Sequence, residues 1–199
     1  MSREKDENKI QKIIKGPSLG YTDIFPKRQL WKEIAKEQNG EFKIKFNSSR
    51  ELEIHNISIP HKKWSINISV SDTRPLKFQI SFSSLQDFKL IISWEDFIER
   101  IIKRFSKPEI ELDWKEFDQH YLIKSNRSDF VKGIFTKEIQ KIMLQHNVYS
   151  ISYQTDKKTK KAELISVIQR QPGDKHMIVD LIEMFKKLID SIEKLRIIK

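Results

Sequence analysis

The chain has 199 residues, 38 Lys and Arg against 28 Asp and Glu for a net charge of +10, 38% hydrophobic residues, five Gly, six Pro and no Cys. An apolar fraction rich in Ile and Phe and spread evenly along the chain excludes low-complexity disorder, and a chain of this length can bury about 70% of its unfolded surface without a disulfide or metal staple. The missing cysteine excludes a disulfide framework, a thiolate zinc site and a cysteine nucleophile.

Residues 1–25 read as an N-terminal tail, with charges of both signs and scattered Ile. A single domain is expected over 26–199, and any sub-division would fall near 107–117. The first helix is placed from Pro26 to Gln38, with Leu30, Trp31, Ile34 and Ala35 on one face and Asn39-Gly40 as its stop. Period two then takes over. Phe42, Ile44 and Phe46 alternate with Lys43 and Lys45, Asn47-Ser48-Ser49 supplies a turn, and Leu52 and Ile54 open a return strand whose apolar phase slips before Ile57 and Ile59. Trp64, Ile66, Ile68 and Val70, followed by Leu76, Phe78, Ile80 and Phe82, alternate across a turn at Ser71 to Pro75. One buried face and one wet face argue for antiparallel pairing.

A short strand is expected at Phe88 to Ile92. Ser93 then caps a helix carrying Trp94, Phe97, Ile98, Ile101, Ile102 and Phe105 at helical spacing, ended by Lys107-Pro108. Residues 117–126 read as a strand and turn, and Ser128 opens a helical stretch with a break at Gly133 or Thr136. Strands at 148–154 and 162–168 flank the loop Asp156 to Lys161, and a last helix runs from Asp174 to Leu195. The fold class is therefore α+β: a largely antiparallel sheet with segregated helices and a long C-terminal helix packed on the sheet. That helix spaces Ile178, Leu181, Phe185, Leu188, Ile192 and Leu195 as a heptad seam widened by Ile182 and Ile189. It is expected to cross the strands near Trp64 and Phe78, with Lys186, Lys187 and Lys194 left in solvent; a homodimer seam is the alternative to a monomer.

At residues 111–126, ELDWKEFDQHYLIKSN, the chain resembles a bacterial family of uncharacterised domains of similar length. The likeness rests on Phe117-Asp118, the Tyr121-Leu122-Ile123-Lys124 strand, Asn126 and the following helix with Phe135 and Ile139. Members often carry Gly-Asp where Asp113-Trp114 stands here. What the resemblance implies is a self-contained domain, with no activity attached.

Charge is distributed unevenly. Residues 108–118 hold five acids against one Lys, while the flanking regions are both basic. Asp113, Trp114, Glu116, Asp118 and His120 are the candidate partner-binding residues, because an aromatic among charges can anchor a protein partner. Nucleic acid is the alternative partner, reached through Lys157, Lys158, Lys160 and Lys161 on one hairpin and Arg100, Lys103, Arg104 and Lys107 on a helix. A third reading is a small apolar ligand in a sheet–helix cavity lined by Phe42, Phe46, Trp64, Phe78 and Phe82. Catalysis is not expected: no Gly-x-Ser-x-Gly occurs, and five scattered glycines assemble neither a Walker loop nor a dinucleotide fingerprint. No cofactor or metal is expected either, since Glu51, Glu53, His55 and His61 read as the polar outer face of a strand rather than a ligand set. No apolar run exceeds three residues, so no membrane partner and a cytoplasmic location are expected.

Overall fold

The structure is a computed structural model, which describes residues 24–46, 52–94, 109–168 and 174–199. Residues 1–23 of the expected tail, the turn at 47–49, Glu51 and most of the helix expected after Ser93, with Arg100, Lys103, Arg104 and Lys107, lie outside the described residues, while Ile24 and Phe25, expected in the tail, already belong to the first helix. The elements run α1 (Ile24–Glu37), β1 (Glu41–Phe46), β2 (Glu53–His61), β3 (Trp64–Ser71), β4 (Arg74–Ser83), β5 (Lys89–Trp94), α2 (Lys115–His120), β6 (Tyr121–Ser125), α3 (Ser128–Ile134), α4 (Lys137–Gln145), β7 (Val148–Thr155), β8 (Lys161–Ile168) and α5 (Lys175–Lys194). The eight strands form one open antiparallel sheet in the order β1-β2-β3-β4-β8-β7-β5-β6. The α+β reading holds.

Register explains the core. Phe42, Ile57, Ile68, Phe78, Ser166, Ile151, Ile92 and Ile123 are successive cross-strand partners, a single row from one sheet edge to the other. From Ile57 onward every member of that row is buried. The next row on the opposite face is polar through Ser58, Asn67 and Gln79. Period-two alternation thus puts one apolar layer under the helices.

α5 lies on that layer. Asp174 caps it by accepting from the Met177 N–H at 2.8 Å, and Ile178, Leu181, Ile182, Met184, Phe185, Leu188, Ile189 and Ile192 are buried. Phe185 meets Phe78 at 5.4 Å between ring centroids, as the heptad spacing led one to expect. Three neighbours tie the helix down: α1 through Lys175 to Glu37 at 2.6 Å and Lys186 to Gln38 at 2.8 Å, α4 through Lys187 to Glu138, and the β2–β3 turn through His61 to Asp190 at 2.8 Å. Lys186 and Lys187 are therefore not left in solvent; both are half-buried and only Lys194 is exposed. The Lys186 ammonium donates to Gln38, just past the end of α1, and to Glu183 of α5 itself, each at 2.8 Å, and Lys187 reaches Glu138 of α4.

Other expectations are corrected by pairing. Ser93 is no cap: it is buried within β5, paired with Leu122 of β6 and Ser150 of β7, so the strand continues through Trp94. Phe117 to His120 form the end of α2, and the strand starts only at Tyr121. The aromatics proposed to line a ligand cavity do different jobs. Phe78 and Phe82 fill the core against Phe185, Trp64 and Tyr153, whereas Phe46 on edge strand β1 is 45% exposed. The β1–β2 register runs without a bulge, and Ile57 and Ile59 define the covered face of β2, to which Glu53 and His55 also belong. The outer-face reading of Glu53 and His55 is thus reversed. Arg28 of α1 bonds Glu53 through Nε at 2.8 Å and pairs with its second oxygen, and His55 Nε2 lies 3.5 Å from Glu53.

Candidate functional site

The acidic segment runs beside β6, the edge strand of the described sheet, where the Ile110 N–H donates to the Ile123 carbonyl at 3.1 Å. Leu112 is buried, and Asp113 takes a left-handed φ of 61° that reverses the chain. The loop is closed by Asp118. Its two carboxylate oxygens accept from the N–H groups of Leu112 at 2.8 Å and Trp114 at 3.1 Å, satisfying donors that precede the first turn of α2. Trp114 is half-buried and stacks on Phe117 at 6.5 Å, and Phe117 stacks on Tyr121 at 4.6 Å. Tyr121 in turn donates its hydroxyl toward the carbonyls of Val148 at 2.8 Å and Met143 at 3.0 Å, and burial pushes its pKa up to about 12. A column of rings therefore anchors the loop to the core.

The same loop lines an open cleft of about 460 Å³ through Glu109, Ile110, Glu111 and Asp113, together with Ser125, Ser128 and Lys132. Asp113 has a side chain 79% exposed and pairs with Lys132 at 3.1 Å; the Lys137 ammonium lies 5.1 Å from the Trp114 ring centroid and 3.1 Å from the Asp113 carbonyl. Of the candidate partner-binding residues, Asp113 lines the cleft, Trp114 and Asp118 hold the loop that carries it without lining the cleft themselves, and Glu116 and His120 are exposed on α2 with the His120 ring 3.3 Å from the Glu116 carbonyl. Glu109 and Glu111 belong to the cleft although they were not singled out. Their signal was in the sequence, in the same run of five acids.

The remaining candidates separate. Lys157, Lys158, Lys160 and Lys161 do crowd the β7–β8 turn and are all exposed. Asp156 builds that turn, accepting from the N–H groups of Lys158 at 2.7 Å and Thr159 at 3.0 Å, and the backbone bond from Thr159 leads in holding its carboxyl below the usual range. Among the described residues no cluster of His, Asp and Glu could hold a metal ion. Each of two histidines is spent on a tie to α5: His61 on Asp190, and His146 on Asp180 at 2.9 Å in a smaller cleft of about 300 Å³ that also holds Asp174 and His176.

No family model matches the chain, and no curated protein matches it in sequence. Among solved structures it is similar to the mycobacterial trehalose monomycolate transport factor A, TtfA, with a TM-score of 0.54 and 5% identity, covering 86% of this chain and 96% of that one. What the two share at that identity is the fold. The cleft residues carry no role over from TtfA, and function has to be argued from this chain's own chemistry.

Among the described residues no helix is long and apolar enough to cross a membrane.

Proposed function

We propose that this chain is a non-catalytic interaction domain that recognises a protein partner through the acidic cleft beside β6, the partner contributing a Lys- or Arg-bearing segment. The observation that carries the reading is the cleft itself: among the described residues Glu109, Glu111 and Asp113 line it against one lining cation, Lys132, with Lys137 at the Asp113 carbonyl, in a chain whose net charge is +10. A pocket of opposite sign to the molecule around it selects basic ligands and steers them to one place. The rigid loop supports this role, since Asp118 and the Trp114–Phe117–Tyr121 column hold the acids in place before a partner arrives. A binding role is also consistent with how the histidines are used, His61 and His146 acting as ties between elements.

The test is affinity capture from the native cell with nuclease present, comparing the wild type with Glu111→Gln/Asp113→Asn. Both side chains are exposed, so the variant should melt with the wild type while losing the captured protein, and should show a weaker salt dependence in titrations with a lysine-rich peptide. Equal capture by the two proteins would remove the cleft as the site. Turnover in a broad hydrolase screen that disappears with His120→Ala or Asp118→Asn would overturn the non-catalytic reading.

A further inference from the structure

The end of the sheet where β4 stops collects cations from three separate stretches of chain. Ser83 pairs with Lys161, the Ser84 N–H donates to the Lys160 carbonyl at 2.7 Å, and the Lys199 N–H donates to the Ser83 carbonyl at 3.0 Å. Trp64 meets Phe82 edge-on at 5.4 Å, bringing with it Lys63, whose ammonium sits 4.8 Å from the Trp64 ring centroid. The left-handed Arg196, with φ of 54°, precedes Ile197, whose carbonyl accepts from the Leu85 N–H at 2.8 Å. Lys63, Lys158, Lys160, Lys161, Arg196 and Lys199 are all exposed. Nearby carboxylates are already engaged: Asp87 with Lys157 at 2.9 Å, Asp190 and Glu193 with Lys62 at 2.7 and 2.6 Å, Asp156 with the backbone of its turn, and Glu163 with Gln79 at 3.2 Å. Among the described residues the six cations have no carboxylate partner. Leu85, 54% exposed, stands among them.

We propose that this end of the molecule, Lys63, Lys158, Lys160, Lys161, Arg196 and Lys199 around Leu85, docks on an anionic lipid surface. Lysines are compact, strongly hydrated charges that act over a headgroup layer without needing fixed geometry, and an exposed leucine at the centre of such a patch has a place to go only in an apolar boundary. A nucleic-acid surface would call for stacking platforms or base-reading Arg, but the Trp64 ring already carries Lys63 on its face and Phe82 at its edge, and the patch holds a single Arg. The expectation of no membrane contact came from the lack of long apolar runs, which concerns spanning segments only.

The experiment is co-sedimentation of the full chain with phosphatidylcholine vesicles prepared with and without phosphatidylglycerol, over a salt series. Binding is expected only with phosphatidylglycerol, falling as salt rises. Each lysine removed should cost about fivefold in partitioning, so Lys158→Gln/Lys161→Gln/Lys199→Gln should lose on the order of 100-fold, with Lys160 spared because its φ is left-handed. Leu85→Ser should weaken binding without changing the salt slope. Thermal melting checks that both variants fold; should the triple variant melt early, Leu85→Ser decides alone. No binding to phosphatidylglycerol vesicles at low salt, or wild-type binding by a folded triple variant, overturns the proposal. Displacement from vesicles by a duplex oligonucleotide whose own binding ignores Leu85→Ser would reassign the patch to nucleic acid.

Discussion

A single carboxylate organises the acidic loop. Asp118 accepts from two backbone N–H groups, one of them on buried Leu112, so Asp118→Ala leaves a shielded donor without a partner. The expected loss is about 1–3 kcal/mol in urea denaturation, and Asp118→Asn, which keeps one acceptor, should lose less. A loss within error for the alanine variant would mean that water replaces the carboxylate. Tyr121 gives the pH counterpart. Burial raises its pKa from 10.0 to about 12, outweighing the smaller opposing influence of the neighbouring Trp94 indole, so the folded state favours the neutral phenol. A group whose folded pKa lies above its unfolded value contributes stability that is complete below the unfolded value and lost as pH rises through the folded one. Here that window runs from pH 10 to about 12, and at 1.4 kcal/mol per unit the contribution lost is on the order of 2–3 kcal/mol. Tyr121→Phe should start less stable by about one hydrogen bond and then decline less steeply over the same window. An ultraviolet phenolate titration with no late step, or a decline as steep as the wild type's, would contradict this. Tyr153, raised chiefly by burial as well, should also titrate late.

Elements differ in how much of themselves they show in sequence. β3 and β4 were plain, because alternation over eight and ten residues has a single solution once one face is buried. α5 was plain for the same reason at helical period. Three other places were not. Ser93 reads as a helix cap locally, but pairing with β6 on one side and β7 on the other draws it into the strand. Phe117 and Tyr121 stack at 4.6 Å across one helical turn, and a helix of six residues leading straight into a strand offers too few positions to separate the two periods. Glu53 and His55 face inward because Arg28 arrives from α1, a partner that strand periodicity cannot announce. The candidate cleft was half legible: composition marked the acidic run, but only the fold shows that Glu109, Glu111 and Asp113 converge while Glu116 turns away. The α1–β1 junction tests a reading that was right for a partly different reason. Asn39 and Gly40 end the helix, but Asn39 carries the left-handed φ of 52°, and a Cβ on Gly40 would meet the Ser58 carbonyl oxygen at 2.5 Å. Gly40→Ala should therefore destabilise by about 1–3 kcal/mol, since backbone of β2 has to shift, while Asn39→Gly should be nearly neutral. Chemical denaturation of the two variants checks the ordering, which reverses if the junction is set by the turn alone.

At the scale of the molecule, α5 is what the rest closes around. It lies on the sheet, is roped to α1, α4 and the β2–β3 turn, and leads into Ile197 and Ile198, which are buried where Ile198 bridges Ser84 at the end of β4. Its sequence alone left open a coiled-coil seam between two copies of the chain. Burial decides what the stripe does inside one copy: Ile178, Leu181, Ile182, Met184, Phe185, Leu188, Ile189 and Ile192 are covered without a second chain. At about 1.5–3 kcal/mol for each of the eight side chains, uncovering that face costs on the order of 12–24 kcal/mol, as large as the 5–15 kcal/mol by which a typical domain is stable. Truncation before Asp174 should therefore abolish the cooperative thermal transition instead of trimming it. A graded control is Phe185→Ala, which should cost about 3–5 kcal/mol through the lost contact with Phe78 and lower the midpoint while keeping one transition. If the truncated chain still melts cooperatively, and only a dimer is lost in sedimentation, then α5 joins copies of the chain and its contacts with the sheet are secondary.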